Sequence, residues 1–431
     1  VGPTAVTMRT TRWCLAGLAA FQCAAFQCPH THRPLVTRLR SAVTTETTAA
    51  VEEAAVFLPE EGRDVKTAPA TLVAQILADV KAEEMLPAEM LPMISRFIET
   101  YIGVVQSDLG RDPESAVPVL KQYVELVEAQ IREPFQFDPY HKAVYAPVDH
   151  YDMDTAFMEP LIDLEDSVLL GAEHFATMKA QLDRGENVVF LSNHQTEADP
   201  SAWSAIMDRG AGQAQEGASN FVRDLIMVAG DRVTTDPVAV PFSKARNLLC
   251  IYSKRHIDNP PSQKRKKQMH NMNTMGEMLK LLGLGGSAIW VAPSGGRDRP
   301  NDDGDFDTPA KFDPKSVDMF RLMASKVSLL KKTHFWPMAM LTHRLFPPPP
   351  KVGTDLGEPR IAMRGSVNIC FRPELDFSNA QNLLQFADGT TDLDEKDAAR
   401  VQAANYAYAE CDAAYQALLH DATARGSPYY P

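Results

Sequence analysis

Between Ala68 and Arg132 apolar residues recur every three or four positions. Leu72, Val73, Ile76, Leu77 and Val80 form one stripe, Ile94, Phe97, Ile98, Tyr101 and Ile102 a second, and Leu120, Tyr123, Val124, Val127 and Ile131 a third. Each stripe predicts a helix with one face turned to a core. Pro87, Pro92 and Pro113 fall between the stripes or at their starts, where one helix can stop and another begin. A small helical bundle over residues 49–133 is the economical reading. From about Pro134 the pattern changes to short apolar runs: Asn187 to Ser192, Leu225 to Ala229, Leu248 to Tyr252, Ala288 to Ala292, Phe335 to Leu341 and Val367 to Phe371. Such runs, alternating with helical or loop segments, predict a larger α/β domain over residues 134–431 with a mostly buried central sheet. Pro347 to Pro350 predict a rigid loop.

Composition is that of a globular chain: 431 residues, 45% apolar and 23% charged. No apolar run reaches the ~18 residues of a membrane-spanning helix, and the best internal stretch, Leu281 to Pro293, is broken by glycines. The net charge is -13, yet the first acidic residue is Glu46. Five of the 43 basic residues precede it, leaving 38 against 56 acidic ones, or -18, for the body. Such a body should repel nucleic acid and anionic membrane, so an anionic ligand needs a local basic pocket. Cys14, Cys23 and Cys28 precede the body and Cys250, Cys370 and Cys411 are widely spaced, without any CxxC. That pattern implies neither a disulfide framework nor a zinc site.

Residues 1–48 read as an address. Arg9 and Arg12 precede an apolar run from Trp13 to Phe26, the layout of a secretory signal, and His30 to Thr45 is basic, rich in hydroxyls and free of acid, as a transit peptide is. The competing reading is a disordered amino terminus with an apolar patch.

The chemistry is concentrated after the run Val188 to Ser192. It leads directly into Asn193-His194-Gln195-Thr196-Glu197-Ala198-Asp199-Pro200. Asp199 before Pro200 predicts a helix cap, so a buried strand ends in a polar loop carrying one histidine and one aspartate. A carboxylate on one imidazole nitrogen leaves the other free to accept a proton and stabilises the imidazolium that results. His194 with Asp199 is therefore a candidate base and orienter, against the plainer reading of a surface histidine and a capping aspartate. Two basic clusters also follow strands: Lys254-Arg255-His256, and Arg297 with Arg299. Arginine forks match phosphate, and alternate residues of an extended chain project to one side. Ser294, in Pro293-Ser294-Gly295-Gly296, offers a second nucleophile reading, but G-x-S-x-G is absent and no base is nearby in sequence. A Walker loop, a dinucleotide fingerprint and HExxH are also missing, and Asp302, Asp303, Asp305 and Asp307 miss the EF-hand spacing. Neither metal nor cofactor is expected.

Asn193-His194 with Asp199 resembles the H-x4-D motif of glycerolipid acyltransferases. Asn193 to Pro200, Ala229 to Val233, Pro241 to Ser243, Asn247 to Cys250, Ala292 to Pro300 and Asp138 to Val144 resemble, more closely, the soluble plastid glycerol-3-phosphate acyltransferases. The resemblance implies an acyltransferase fold over residues 134–431 and transfer of a fatty acyl group to the sn-1 hydroxyl of glycerol 3-phosphate. The donor would be acyl carrier protein or coenzyme A, and the compartment the plastid stroma. It puts catalysis on His194 and Asp199, and phosphate recognition on Arg255, His256, Arg297 and Arg299, with Arg255 standing where lysine is usual. The serial addresses resemble the bipartite presequences of algae with secondary plastids, with Ala20-Phe21 or Ala25-Phe26 at the cleavage motif. Acyl transfer from a thioester needs a base and oxyanion donors but no metal, which suits this chain. Acyl carrier protein is strongly acidic, so Lys264, Arg265, Lys266 and Lys267 are either a docking patch or a solvated helix face. Open alternatives are another acceptor, lysophosphatidate or dihydroxyacetone phosphate, or a non-catalytic carrier- or lipid-binding module.

Overall fold

The structure, a computed structural model, describes residues 70–79, 86–209, 218–253, 256–349, 358 and 360–430. All of them lie in one compact unit, Pro59–Pro431. The expected presequence, Val80 and Arg255 fall outside the described residues.

Eight strands form one sheet in the order β1-β5-β4-β6-β3-β7-β8-β2. They are β1 (Tyr140–His141), β2 (Val168–Leu170), β3 (Asn187–Ser192), β4 (Ile226–Gly230), β5 (Asn247–Ile251), β6 (Ala288–Val291), β7 (Thr333–Leu341) and β8 (Asn368–Phe371). The six longer strands match the six apolar runs to within a residue or two. The two short strands pair at the sheet's margins, β1 antiparallel to β5 and β2 parallel to β8, and carry too few residues to leave a pattern. β3 to β7 are mutually parallel, and β8 returns antiparallel to β7. Five carboxyl ends therefore open on one edge, where the loops of α/β proteins are held rigidly yet remain accessible.

The strands alternate between two cores. Val188, Phe190, Met227, Leu248, Trp290, Met338 and Met340 face one cluster; Val189, Leu191, Ile226, Leu249, Ile289, Val291 and Leu341 face the other. With both faces covered, every residue of β3 is buried, which is why its sequence reads as an unbroken apolar run. The second core is closed by the helices Lys264–Leu284, Pro314–Val327 and Glu395–Ala424. The last of these buries Ala403, Ala404, Ala407 and Ala414 beside Cys411 and Tyr415, small side chains that let it lie close to β7.

The three apolar stripes form the helices Ala70–Asp79, Leu91–Gly103 and Val117–Arg132. Their buried residues belong to the same cluster as Phe157, Phe190 and Trp203, so the first core runs without a break across the 133/134 boundary. Polar bonds cross it too: Tyr101 donates to the carbonyl of Phe157 at 2.8 Å, and Tyr123 to that of Val238 at 3.2 Å. Among the described residues no helix is long and apolar enough to cross a membrane, and no group of His, Cys, Asp or Glu is arranged to hold a metal ion.

Candidate active site at the carboxyl edge of the sheet

β3 delivers its last residue, Ser192, to the centre of the edge between β6 and β7, and residues 193–198 turn back toward the helix Asp199–Arg209. The turn is clamped from three directions. Asn193 acts as a backbone substitute for the end of β7, its Oδ1 accepting from Met340 N at 2.8 Å and its Nδ2 donating to Met340 O at 2.9 Å. Gln195 accepts from Thr342 N at 2.8 Å and donates to the hydroxyl of Tyr415 at 2.9 Å, which ties the loop to the alanine-rich helix. Thr196 donates to Phe346 O. With its polar groups satisfied by partners far away in sequence, the loop is fixed before any substrate arrives.

Asp199 does not cap its helix as its place before Pro200 predicts. Its carboxylate points back into the loop. Oδ2 accepts from His194 Nδ1 at 2.7 Å, from Gln195 N at 2.7 Å and from Thr196 N at 3.3 Å, and Oδ1 accepts from Thr342 Oγ1 at 2.5 Å. Only 1% of its side chain is exposed, so these donors replace the water lost on burial. A carboxylate at Nδ1 fixes the proton there and leaves the lone pair on Nε2. The ring, 23% exposed, stands edge-to-face against Trp290 of β6, with centroids 5.6 Å apart.

The loop after β6 lies against this turn. Gly295, with φ +73°, bends it, and its N–H donates to Ala292 O. Ser294 donates to Gly296 O at 2.9 Å, the behaviour of a turn serine. Beyond the bend, Asp298 donates its N–H to His194 O at 2.5 Å, while its carboxylate accepts from Asn193 Nδ2 and Ala310 N, both at 2.9 Å. Burial pushes this carboxyl up to about 6, against those hydrogen bonds. Arg297 and Arg299 therefore flank a residue bonded directly to the histidine's main chain.

Arg297 is 11% exposed and does not stand alone. Its NH2 contacts both carboxylate oxygens of Glu358, at 2.6 and 2.7 Å, and its NH1 lies 3.6 Å from Glu197. Arg360 spans Glu197 at 2.7 Å and Asp236 at 2.9 Å. Burial alone would raise the carboxyl of Glu197, but the guanidinium groups of Arg360 and Arg297 outweigh it and hold it down at about 2. His256 is oriented by Asp231, 3.1 Å from its Nδ1, at the end of β4. Its neighbour Arg232 approaches Glu358 at 3.4 Å, so His256 and Arg297 share one charged rim. Arg299 is half-buried.

The basic run at 264–267 divides. Lys264, Arg265 and Lys266 are exposed, Lys264 pairing with Asp258 at 2.8 Å. Lys267 does not belong with them: it is buried and donates to the carbonyls of His256 and Asn259, at 2.8 and 2.5 Å. One turn of helix separates a cation facing water from one that fastens the His256 loop.

Sequence reasoning missed Thr342, Glu358 and Arg360, and gave no role to Asp298, which lies within the stretch Ala292 to Pro300. Glu197 lay within the quoted motif but carried no role. Thr342 and Arg360 stand more than 140 residues from the motif they touch, and neither has a local pattern that announces it.

Residues 173–341, which run from the helix before β3 to the end of β7, match the family described as Acyltransferase. That defines the class. Over longer stretches the chain is 36% identical to the chloroplastic glycerol-3-phosphate acyltransferase of Arabidopsis thaliana, across 309 residues covering 70% of this chain and 65% of that one. It is 36% identical to the Pisum sativum protein of the same name, across 310 residues covering 70% and 65%. A Cucurbita moschata chloroplastic glycerol-3-phosphate acyltransferase is 33% identical across 334 residues, covering 77% of this chain and 72% of that one. The chain belongs to the chloroplastic glycerol-3-phosphate acyltransferase family, as its motif resemblance implies. The match spans 65% of the length of the Arabidopsis and pea relatives, a little under two thirds.

Proposed function

We propose that the chain transfers a fatty acyl group from acyl carrier protein, or from coenzyme A, to the sn-1 hydroxyl of glycerol 3-phosphate, giving lysophosphatidic acid. The observation that carries this reading is the 2.7 Å bond between His194 and Asp199 within a fully clamped loop. Nε2 of His194 takes the proton of the acceptor hydroxyl as its oxygen attacks the thioester carbonyl. The tetrahedral intermediate then collapses, the C–S bond breaks, and the departing thiolate takes the proton back from the imidazolium. Asp199 holds the tautomer throughout, and Thr342 and the loop amides hold Asp199 in place. Arg297, Arg299, Arg255 and His256 hold the phosphate. The relatives' names support this acceptor and a chloroplast setting; the reading itself adds the stroma, residues 1–48 as the address, and residues 49–133 and 134–431 as helical and α/β regions of the mature chain. Lys264, Arg265 and Lys266 receive the acidic carrier protein.

The test offers the purified chain glycerol 3-phosphate, lysophosphatidate and dihydroxyacetone phosphate, each with acyl carrier protein and coenzyme A donors, and reads products by mass spectrometry. Preference for glycerol 3-phosphate supports the assignment. Preference for another acceptor, or binding of acyl donor without turnover, overturns it. Arg297→Ala or Arg299→Ala should raise KM for glycerol 3-phosphate by about ten-fold or more and leave that of the donor nearly unchanged, each deleting a charge-assisted bond.

A further inference from the structure

Three guanidinium groups at the rim, Arg232, Arg297 and Arg360, face three carboxylates, Glu197, Asp236 and Glu358. The charges balance within this group, so a phosphate dianion brought to it would meet little net attraction. Two of the carboxylates are held on Arg360, Glu197 at its Nε and Asp236 at its NH2. Glu358 is placed differently. Both of its oxygens contact Arg297 NH2, at 2.6 and 2.7 Å, and a second guanidinium, Arg232, lies 3.4 Å from Oε2. Its main chain is anchored separately, its carbonyl accepting from Arg360 NH1 at 3.1 Å. The carboxylate can thus change partner without breaking the bond that holds its own carbonyl.

A carboxylate and a phosphate compete for the same guanidinium donors. We propose that Glu358 is the exchangeable counter-ion of Arg297: the acceptor's phosphate displaces its carboxylate, which turns fully onto Arg232, and this exchange sets the acceptor's affinity. The inference rests on the reading of Arg297 as a phosphate ligand. Exchange lowers apparent affinity by the fraction of molecules whose Arg297 is released, so weakening the internal anion tightens the external one.

The test uses the full chain. Glu358→Gln removes the charge, and Glu358→Asp keeps it but withdraws the carboxylate by one methylene. Both should lower KM for glycerol 3-phosphate, Gln by about five- to ten-fold and Asp by less, with KM for the acyl donor unchanged. Inhibition by inorganic phosphate should tighten in parallel, and the gain should vanish in the Arg297→Ala background. A KM that is unchanged or raised overturns the inference, as does a gain that persists without Arg297, or a loss of fold in both variants, since Glu358 would then be a structural counter-ion. If Arg297→Ala alone leaves KM for glycerol 3-phosphate unaltered, the reading of Arg297 fails instead.

Discussion

The backbone N–H of Asp298 donates to the carbonyl oxygen of His194 at 2.5 Å. One main-chain bond thus joins the loop that carries His194 to the loop that carries Arg297 and Arg299, and it sets the spacing between the imidazole and the two guanidinium groups. Asn193 reinforces the joint by bridging Asp298 to Met340. Asn193→Ala should leave two buried backbone groups of Met340 and one carboxylate oxygen without that partner, at about 1–3 kcal/mol each before relaxation. Urea unfolding should show a loss of that order. Turnover should fall as well, because the two loops lose their register.

Thr342→Val keeps the side-chain shape but deletes the hydroxyl that donates to Asp199 Oδ1. The fold should survive, since Thr342 N still reaches Gln195. Turnover should fall by about ten-fold with KM for both substrates unchanged, as expected for a residue that acts through Asp199. Steady-state kinetics with each substrate varied in turn separates this from a binding defect.

Glu197 should supply pH-dependent stability. Its carboxyl lies at about 2 when folded, below its ordinary 4.5. A depressed carboxyl stabilises the fold fully above 4.5 and loses that contribution as pH falls through the folded value. Glu197→Gln should therefore cost about 3 kcal/mol at pH 7, with the gap to wild type narrowing as pH drops below 4.5. Chemical denaturation across pH 3.5 to 7 reads this directly, and a gap independent of pH would contradict the sign.

Reversing Lys264, Arg265 and Lys266 to Glu should slow reaction with acyl carrier protein more than with acyl-coenzyme A. The defect should shrink as salt shortens the screening length below ~8–10 Å. Lys267→Glu should behave otherwise, lowering stability and the affinity for glycerol 3-phosphate, because Lys267 holds the carbonyl of His256. The ratio of kcat/KM for the two donors at low and high salt distinguishes docking from a solvated face.

The sheet was legible because burial on both faces turns each inner strand into an apolar run, as in β3. β1 and β2, with two and three residues at the margins, had no room for one. The helix Glu395–Ala424 escaped notice because its buried side is largely alanine, which hydrophobic patterning scarcely registers. At the site, His194 and Asp199 were readable because both lie on one short loop after a strand. The error at Lys267 was avoidable. Lys267, Thr274, Met278 and Leu282 recur at helical spacing along the buried side of their helix, so the fourth cation had to turn inward. Glu358 and Arg360 had no such signal, since their partners lie on other loops and only the folded chain brings them together.

The most direct test is turnover of glycerol 3-phosphate by the full chain carrying His194→Ala, with Asp199→Asn beside it. Loss of the base should lower kcat by about 10²- to 10⁴-fold while KM for glycerol 3-phosphate and the unfolding midpoint stay close to wild type. Asp199→Asn should also be severe, since an amide donor can favour the wrong tautomer. Near-normal turnover in His194→Ala would contradict the assignment of His194 as the base.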